Sequence, residues 1–205
     1  MSRLQIVHLP ESRLDETAQA LADAFIDDPL QSYTFPDAGD RRRLSPAHFG
    51  ALLRYGLLAG HVLTAAEHGV GASVWLPPGT QGTPEMAGQS GLSRLPELLG
   101  AEPARRFGAV IEFGEAMHRR VMGDPHWYVM VLGVSPAFQG QGYGRALLQP
   151  MLDQAARDGM PCYLETAQPG NVGFYQRLGF EMLDEQVEPQ SGLRIWAFRK
   201  DPAPA

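Results

Sequence analysis

Apolar and polar residues alternate from Leu4 to His8 as in a short edge strand. Leu14, Ala18, Leu21, Ala22 and Phe25 then fall on one face of a helix that stops near Asp28-Pro29. Ser45-Pro46 forms a cap and first-turn pair for a second helix carrying Phe49, Leu52, Leu53, Gly56 and Leu57, with Gly60 as its stop. Val62 to Ala66 and Val70 to Leu76 flank Glu67-His68-Gly69 as an antiparallel hairpin. Pro77-Pro78-Gly79 closes it, and the stretch through Gly91, rich in Gly, Pro, Gln, Ser and Thr, predicts a mobile loop. Ser93 is placed to cap a short helix through Leu99, and Phe107, Val110, Ile111, Gly114, Met117 and Val121 mark a longer one.

The second half changes period twice. Trp127 to Val134 is rich in β-branched and aromatic residues and too short for a helix, which predicts an interior strand. Within it, Gly133 marks a bulge or a close backbone approach, with simple packing against a bulky neighbour as the alternative. Leu147, Leu148, Met151, Leu152 and Ala155 return to helical spacing, with Gly159 and Pro161 as stop signals. Pro150 lies inside that helix, removing a backbone bond at a cost of about 3 kcal/mol, and predicts a kink. Strand Cys162 to Thr166, a helix capped near Asn171, and strands Phe180 to Glu188 and Leu193 to Arg199 follow, the last two joined by a turn at Glu188 to Gly192. Alternating strands and helices, with hairpins at both ends and a crossover between, predict an α/β fold with a mixed central sheet.

A chain of 205 residues with 44% hydrophobic content supports one substantial core, so residues 1–200 are expected to form a single domain and residues 201–205 a disordered tail. No apolar run reaches membrane-span length and the N-terminus lacks a signal-peptide pattern, which predicts a soluble cytoplasmic protein without membrane partners. The single cysteine, Cys162, excludes an internal disulfide and sits where a packed, unreactive thiol belongs. A net charge of −6 argues against nucleic acid as a partner, and Arg41-Arg42-Arg43 beside Asp37 and Asp40 is expected to be a solvated surface segment. The six histidines form no metal-ligand pattern, so no metal is expected and most are assigned to surface or packing.

The most informative stretch is V-L-G-V-S-P-A-F-Q-G-Q-G-Y-G-R-A-L-L, from Val131 to Leu148: a strand, a glycine-rich turn and a helix start. At a helix N-terminus the first backbone N–H groups lack partners and the macrodipole is positive, so the ligand expected there is a phosphate or pyrophosphate. A P-loop would need Gly-Lys followed by Ser or Thr, but Gly144 is followed by Arg145 and Ala146. A dinucleotide fingerprint starting at Gly140 and Gly142 would need glycine where Arg145 stands, and too little chain follows for the rest of a doubly wound domain.

Gln139-Gly140-Gln141-Gly142-Tyr143-Gly144 matches Q/R-x-x-G-x-G/A. Together with Val134-Ser135-Pro136 before it and the later N-x-x-F-Y-x-x-x-G-F block from Asn171 to Phe180, it resembles the acyl-CoA loop of the GNAT superfamily of N-acetyltransferases. The resemblance implies a seven-stranded mixed sheet flanked by helices, with acetyl-CoA as co-substrate. Leu132, Gly133 and Val134 would hold the pantetheine arm and offer an oxyanion donor, and Gln139, Gly140, Gln141, Gly142, Tyr143, Gly144, Arg145 and Asn171 would hold the rest of the coenzyme. Tyr175 matches the family's general acid. Glu165, at the carboxyl end of a strand beside that site, is a candidate base or acceptor-binding carboxylate, with a structural pairing to an arginine as the alternative.

His126-Trp127-Tyr128, Trp75 to Gly79, and Ala24 to Pro29 with Pro36-Asp37 are similar to segments of the subgroup that includes puromycin N-acetyltransferase, which makes Phe25, Tyr33 and Phe35 candidate contacts for the acceptor. The resulting expectation is direct acetyl transfer to a small, cationic primary amine, with protein N-terminal or lysine acetylation and a non-catalytic acyl-CoA sensor as alternatives. An apolar strand face at Leu193 to Phe198 is a candidate homodimer surface.

Overall fold

The computed structural model describes residues 4–80 and 82–202, so residues 203–205 of the expected tail lie outside it. β1 (Ile6–His8) leads into α1 (Leu14–Ala24), α2 (Pro29–Thr34) and α3 (Ala38–Ala59); the hairpin β2 (His61–Ala65) and β3 (Gly71–Leu76) follows. Then come α4 (Pro84–Ser90), α5 (Leu95–Leu99), α6 (Ala101–Val121), β4 (Trp127–Val134), α7 (Tyr143–Asp158), β5 (Cys162–Thr166), α8 (Pro169–Arg177), β6 (Glu181–Val187) and β7 (Arg194–Lys200).

Several helix boundaries differ from the expectation, each for a capping reason. α3 starts well before Ser45 because Asp37 accepts from the Asp40 amide at 2.8 Å. Ser45 is buried instead, and its hydroxyl donates to Gln31 Oε1 at 3.1 Å. The expected mobile loop contains α4, for which Thr83 is the cap, accepting from the Met86 amide at 3.2 Å, and Pro84 the first-turn residue. Ser93 caps nothing; it lies in a 3-10 turn, Leu92–Arg94, that runs into α5. Asn171 is likewise no cap, because Pro169 opens α8 two residues earlier and leaves Asn171 inside the first turn. α7 runs through Pro150 as one element.

The seven strands form one sheet in the order β1-β2-β3-β4-β5-β7-β6, antiparallel except for the β4–β5 pair. That parallel pair is short: Trp127 faces Cys162 and Tyr128 faces Tyr163, and beyond them no pairing continues although β4 runs on to Val134. The strands therefore part in mid-sheet. A β-bulge contributes on the other edge, where Val74 pairs with Val131 and Trp75 with Val129, leaving Met130 as the extra residue. The bulge turns the strand over. Trp127 and Val129 pack with Leu148 and Leu152 of α7, whereas Val131 packs with Leu21 of α1 and Leu53 of α3. Gly133 is neither the bulge nor a backbone approach but a place where bulky side chains pack: a Cβ there would lie 2.6 Å from Phe25 Cε2 and 2.7 Å from Leu21 Cδ2.

A third cluster sets α6, through Val110 and Met117, against Tyr163, Ile195 and Ala197. Buried polar groups in β3 are satisfied: the Trp75 indole donates to Ser73 Oγ at 3.2 Å, and Ser73 donates to the Leu147 carbonyl at 2.8 Å, tying the sheet to α7. Ile195, Trp196, Ala197 and Phe198 are buried, so the apolar face expected there for a dimer is core. The exposed apolar side chains Met182, Leu183 and Val187 lie instead on the edge strand β6.

Candidate active site

The segment after β4 is held by its own backbone and by two glutamines. Ser135 N donates to the Val70 carbonyl at 2.8 Å, Gln139 Nε2 to the Val134 carbonyl at 2.9 Å and Gln141 Nε2 to the Ala137 carbonyl at 3.0 Å. Gly140 and Gly142 have φ of +74° and +89°, so glycine is needed there for conformation. No described atom lies within 4 Å of where either Cβ would sit. Gly142 is the N-cap of α7 without a side-chain cap, and the first helical bond is Ala146 N to the Gly142 carbonyl at 3.0 Å. The N–H groups of Tyr143, Gly144 and Arg145 are therefore left over at the positive end of a helix with no acidic residue in its first turn.

The named side chains divide by place. Tyr143 is buried under the loop, edge-on to Phe138 with ring centroids 5.7 Å apart, so only its amide faces the cradle. Gly144 packs on Phe174, whose ring would lie 3.3 Å from an added Cβ. Leu132 packs with the α7 cluster, while Val134, with Tyr143, joins the cluster under the loop. Along this part of β4 the edge toward β5 has no strand partner. Asn171 is half-buried in the first turn of α8.

Glu165 stands two residues beyond Tyr163 on the same face of β5, with its side chain 13% exposed. Among the described residues no arginine pairs with it. The Tyr163 hydroxyl donates to Glu165 Oε1 at 2.9 Å, the Tyr128 hydroxyl is near enough to favour its charged form, and His118 Nδ1 lies 3.9 Å away. Burial pushes its pKa up to about 7; the Tyr163 and Tyr128 hydroxyls oppose that shift, and Glu115 adds to it. A carboxyl group so poised is half ionised at neutral pH, as a general base requires.

Tyr175, on α8, is 5% exposed, with Phe174, Phe180 and Phe198 around its ring at centroid distances of 5.2, 5.8 and 5.8 Å. Its hydroxyl has no hydrogen-bond partner among the described residues. Burial, and then the charge of Asp28, push the hydroxyl pKa upward. Asp28 caps α2, accepting from the Leu30 amide at 2.9 Å, and burial raises its own carboxyl pKa. The sequence showed Asp28 only as the end of a helix; that it comes within electrostatic reach of Tyr175 is a tertiary fact.

Of the aromatic acceptor candidates, Phe25 lies half-buried over Gly133 and against Phe49, with ring centroids 5.0 Å apart. Tyr33 is half-buried in the cluster that holds Tyr128 and Tyr163, with the Arg106 guanidinium 5.8 Å from its ring centre. Phe35 is not brought to this place: it is 1% exposed and sealed in a separate cluster with Ala51, Leu95 and Leu99. Two histidines, His118 and His126, stand at the site, where the sequence pattern assigns most histidines to surface or packing. His118 stacks on Tyr163 with ring centroids 4.0 Å apart and planes 19° from parallel.

Among the described residues no group of three or more His, Cys, Asp or Glu could hold a metal ion, and no helix is long and apolar enough to cross a membrane. Cys162 is buried, and its thiol pKa is pushed up to about 12, chiefly by burial, as an unreactive packed thiol requires.

Known proteins resemble this chain in sequence and in fold. A model of the acetyltransferase (GNAT) family matches residues 87–180, which span β4, the glycine loop, β5 and α8. An uncharacterized N-acetyltransferase of Schizosaccharomyces pombe is 30% identical over 172 residues, covering 80% of this chain and 69% of the yeast protein. Two solved structures share the fold over nearly all of both chains. One, from Corynebacterium glutamicum and described as histone acetyltransferase HPA2 and related acetyltransferase, has a TM-score of 0.68 at 24% identity and covers 100% of this chain and 99% of its own. The other, arylalkylamine N-acetyltransferase 2 from Aedes aegypti, has a TM-score of 0.65 at 15% identity and covers 98% and 99%.

Proposed function

Since the chain belongs to the GNAT family of acetyltransferases, whose members use acetyl-CoA, we propose that it acetylates a primary amine of a small, cationic molecule by direct attack within a ternary complex. The observation that carries this reading is Glu165, an enclosed carboxyl group held near neutrality where β4 and β5 part.

The residues present fit the coenzyme. The left-over amides of Tyr143, Gly144 and Arg145, beside Gly140 and Gly142, form a cradle for a pyrophosphate, with the Gln139 and Gln141 side chains bracing the loop. Leu132, Gly133 and Val134 offer an unpaired strand edge for the pantetheine arm and an N–H for the oxyanion, and Asn171 flanks the same gap from α8. Acetyl-CoA supplies the activated acyl carbon and the thiolate leaving group.

The chain's own groups then manage the protons. Glu165 accepts one from the attacking amine as the C–N bond forms and the C–S bond breaks. Tyr175 keeps its proton throughout the neutral range, so it hydrogen-bonds the departing sulfur and passes the proton over as charge develops there. Glu165, with Glu115 nearby, favours a cationic acceptor. The shared fold does not choose between acceptors, since the neighbours include both arylalkylamine N-acetyltransferase 2 and the protein described as histone acetyltransferase HPA2; the small cationic amine rests on the enclosed carboxyl group.

Calorimetric titration with acetyl-CoA tests the cradle. Binding in the wild type that Gly142→Trp abolishes is expected, followed by thiol release in a screen of arylalkylamines, polyamines and amino acids. No binding by folded, coenzyme-free protein overturns the reading.

A further inference from the structure

Glu165 cannot act twice unless the proton it takes from the amine leaves it, and the carboxyl group is enclosed. The Tyr163 hydroxyl already donates to it. Beside it stands His118, whose Nδ1 is 3.9 Å from Oε1. Beyond it, His118 Nε2 lies 2.6 Å from His126 Nε2, and His126 Nδ1 lies 2.6 Å from the Asp124 carbonyl oxygen.

The far end of this chain settles the placement of every hydrogen. A carbonyl oxygen only accepts, so His126 Nδ1 carries the hydrogen and, in the neutral ring, Nε2 carries the lone pair. The contact between the two Nε2 atoms then requires His118 to donate. Neutral His118 is thereby left with its lone pair on Nδ1, the atom that faces Glu165. All donors point the same way, from the enclosed carboxyl group toward half-buried His126 and solvent-exposed Asp124.

We infer that His118 and His126 relay to solvent the proton that Glu165 takes from the amine, an inference that rests on the base role proposed for Glu165. The protonated carboxyl group gives its hydrogen to His118 Nδ1 while His118 Nε2 gives its own to His126 Nε2, so no net charge settles on His118. His126, now an imidazolium, loses its Nδ1 hydrogen to water, and reorientation of the two tautomers resets the pair. The 3.9 Å step exceeds a hydrogen bond and is one that a small rotation of the carboxyl group or a bridging water closes.

The surroundings suit the task. Stacking on Tyr163 fixes the plane of the His118 ring. Burial first, then the charges of His126 and Arg119, lower the His118 pKa to about 4 and keep its lone pair free at neutral pH. The other titratable and charged groups that act on His118 and Glu165 are Glu115 and Arg119 on α6, Tyr128 on β4 and Tyr163 on β5; Arg120 on α6 and Asp184 on β6, paired with each other, act on Tyr163.

Histidine tautomers test the relay without any substrate. In protein carrying 15N-labelled histidine at pH 7.5, long-range 1H–15N correlation is expected to show His126 as the Nδ1–H tautomer and His118 as Nε2–H. His126 found as Nε2–H, the form free histidine prefers, overturns the proposal.

Kinetics give a second readout, with thiol release measured on phenethylamine and spermidine. His126→Phe, or His126→Asn should the first fold poorly, is expected to lower kcat about tenfold near pH 7, leave KM for acetyl-CoA unchanged and recover with added imidazole. Unchanged kcat, or a loss that imidazole does not restore, overturns the relay. Glu165→Gln separates the two readings. Turnover as in the wild type in Glu165→Gln removes the base, and the relay with it; loss there with intact His126 variants removes the relay alone.

Discussion

Glu165→Gln should make the protein more stable at alkaline pH while disabling it. The folded-state pKa of Glu165 is raised from 4.5 to about 7, chiefly by burial, so the folded protein binds its proton more tightly than the unfolded chain does. A group shifted in this direction contributes stability that is fully present below the unfolded pKa and is lost as pH rises through the folded one. The shift of roughly 2.5 units corresponds to about 3 kcal/mol lost between about pH 4 and pH 8. The side chain is only 13% exposed, so solvent screening removes little of this.

Glutamine does not titrate, and its amide oxygen can still accept from Tyr163. His48 and His118, both lowered to about 4, act in the opposite sense, since the unfolded chain takes up their protons first as pH falls below 6.5. The useful quantity is therefore the difference between variant and wild type, in which those terms cancel. Urea denaturation across pH 4 to 8 should show that difference growing with pH by about 3 kcal/mol in favour of Glu165→Gln. A difference that stays flat would refute the claim that an enclosed, titrating carboxyl group sits here. In thiol-release assays the same variant should lose the limb of the pH–rate profile centred near 7, with the largest deficit between pH 7 and the pKa of the amine.

Other outcomes follow from the same geometry. Tyr175→Phe should change stability by less than about 0.5 kcal/mol, because the hydroxyl has no hydrogen-bond partner among the described residues, yet reduce turnover; undiminished turnover removes the acid role. Gly133→Ala should destabilise by about 1–3 kcal/mol in thermal melts through its 2.6 Å clash with Phe25, with part of the loss restored when Phe25→Ala is added; independent, additive effects would contradict the close packing. His48 is fully buried with Nε2 unpartnered, so His48→Phe should flatten the loss of stability between pH 6.5 and 4, and an unchanged acid limb in urea titrations would count against it.

Much of the site was legible as local pattern. The strand from Trp127 to Val134, the glycine turn and the strand from Cys162 to Thr166 were all read at their observed bounds, because β-branched runs, glycine spacing and apolar period are properties of neighbouring residues. Helix starts were less legible where two caps competed. Ser45-Pro46 has the chemistry of a first turn, but Asp37 nucleates the helix earlier and Ser45 turns inward to Gln31. Thr83-Pro84 is an equally good start and was hidden in a stretch whose composition suggested a loop.

The sequence by itself determined the α/β order of elements, the open helix N-terminus at Gly142 and the family resemblance, since each is written in residues within a few positions of one another. Only the tertiary structure decided where β4 parts from β5, that the bulge falls at Met130, that the apolar residues of β7 are core, and which side chains meet Glu165. Tyr128, Tyr163 and His118 converge on one carboxyl group from β4, β5 and α6, His126 meets His118 from the segment before β4, and Asp28 approaches Tyr175 from the start of α2. A carboxyl pKa near 7 is a property of that enclosure: it depends on how much water the neighbours exclude and which hydroxyls they bring, and neither is encoded at Glu165 or beside it.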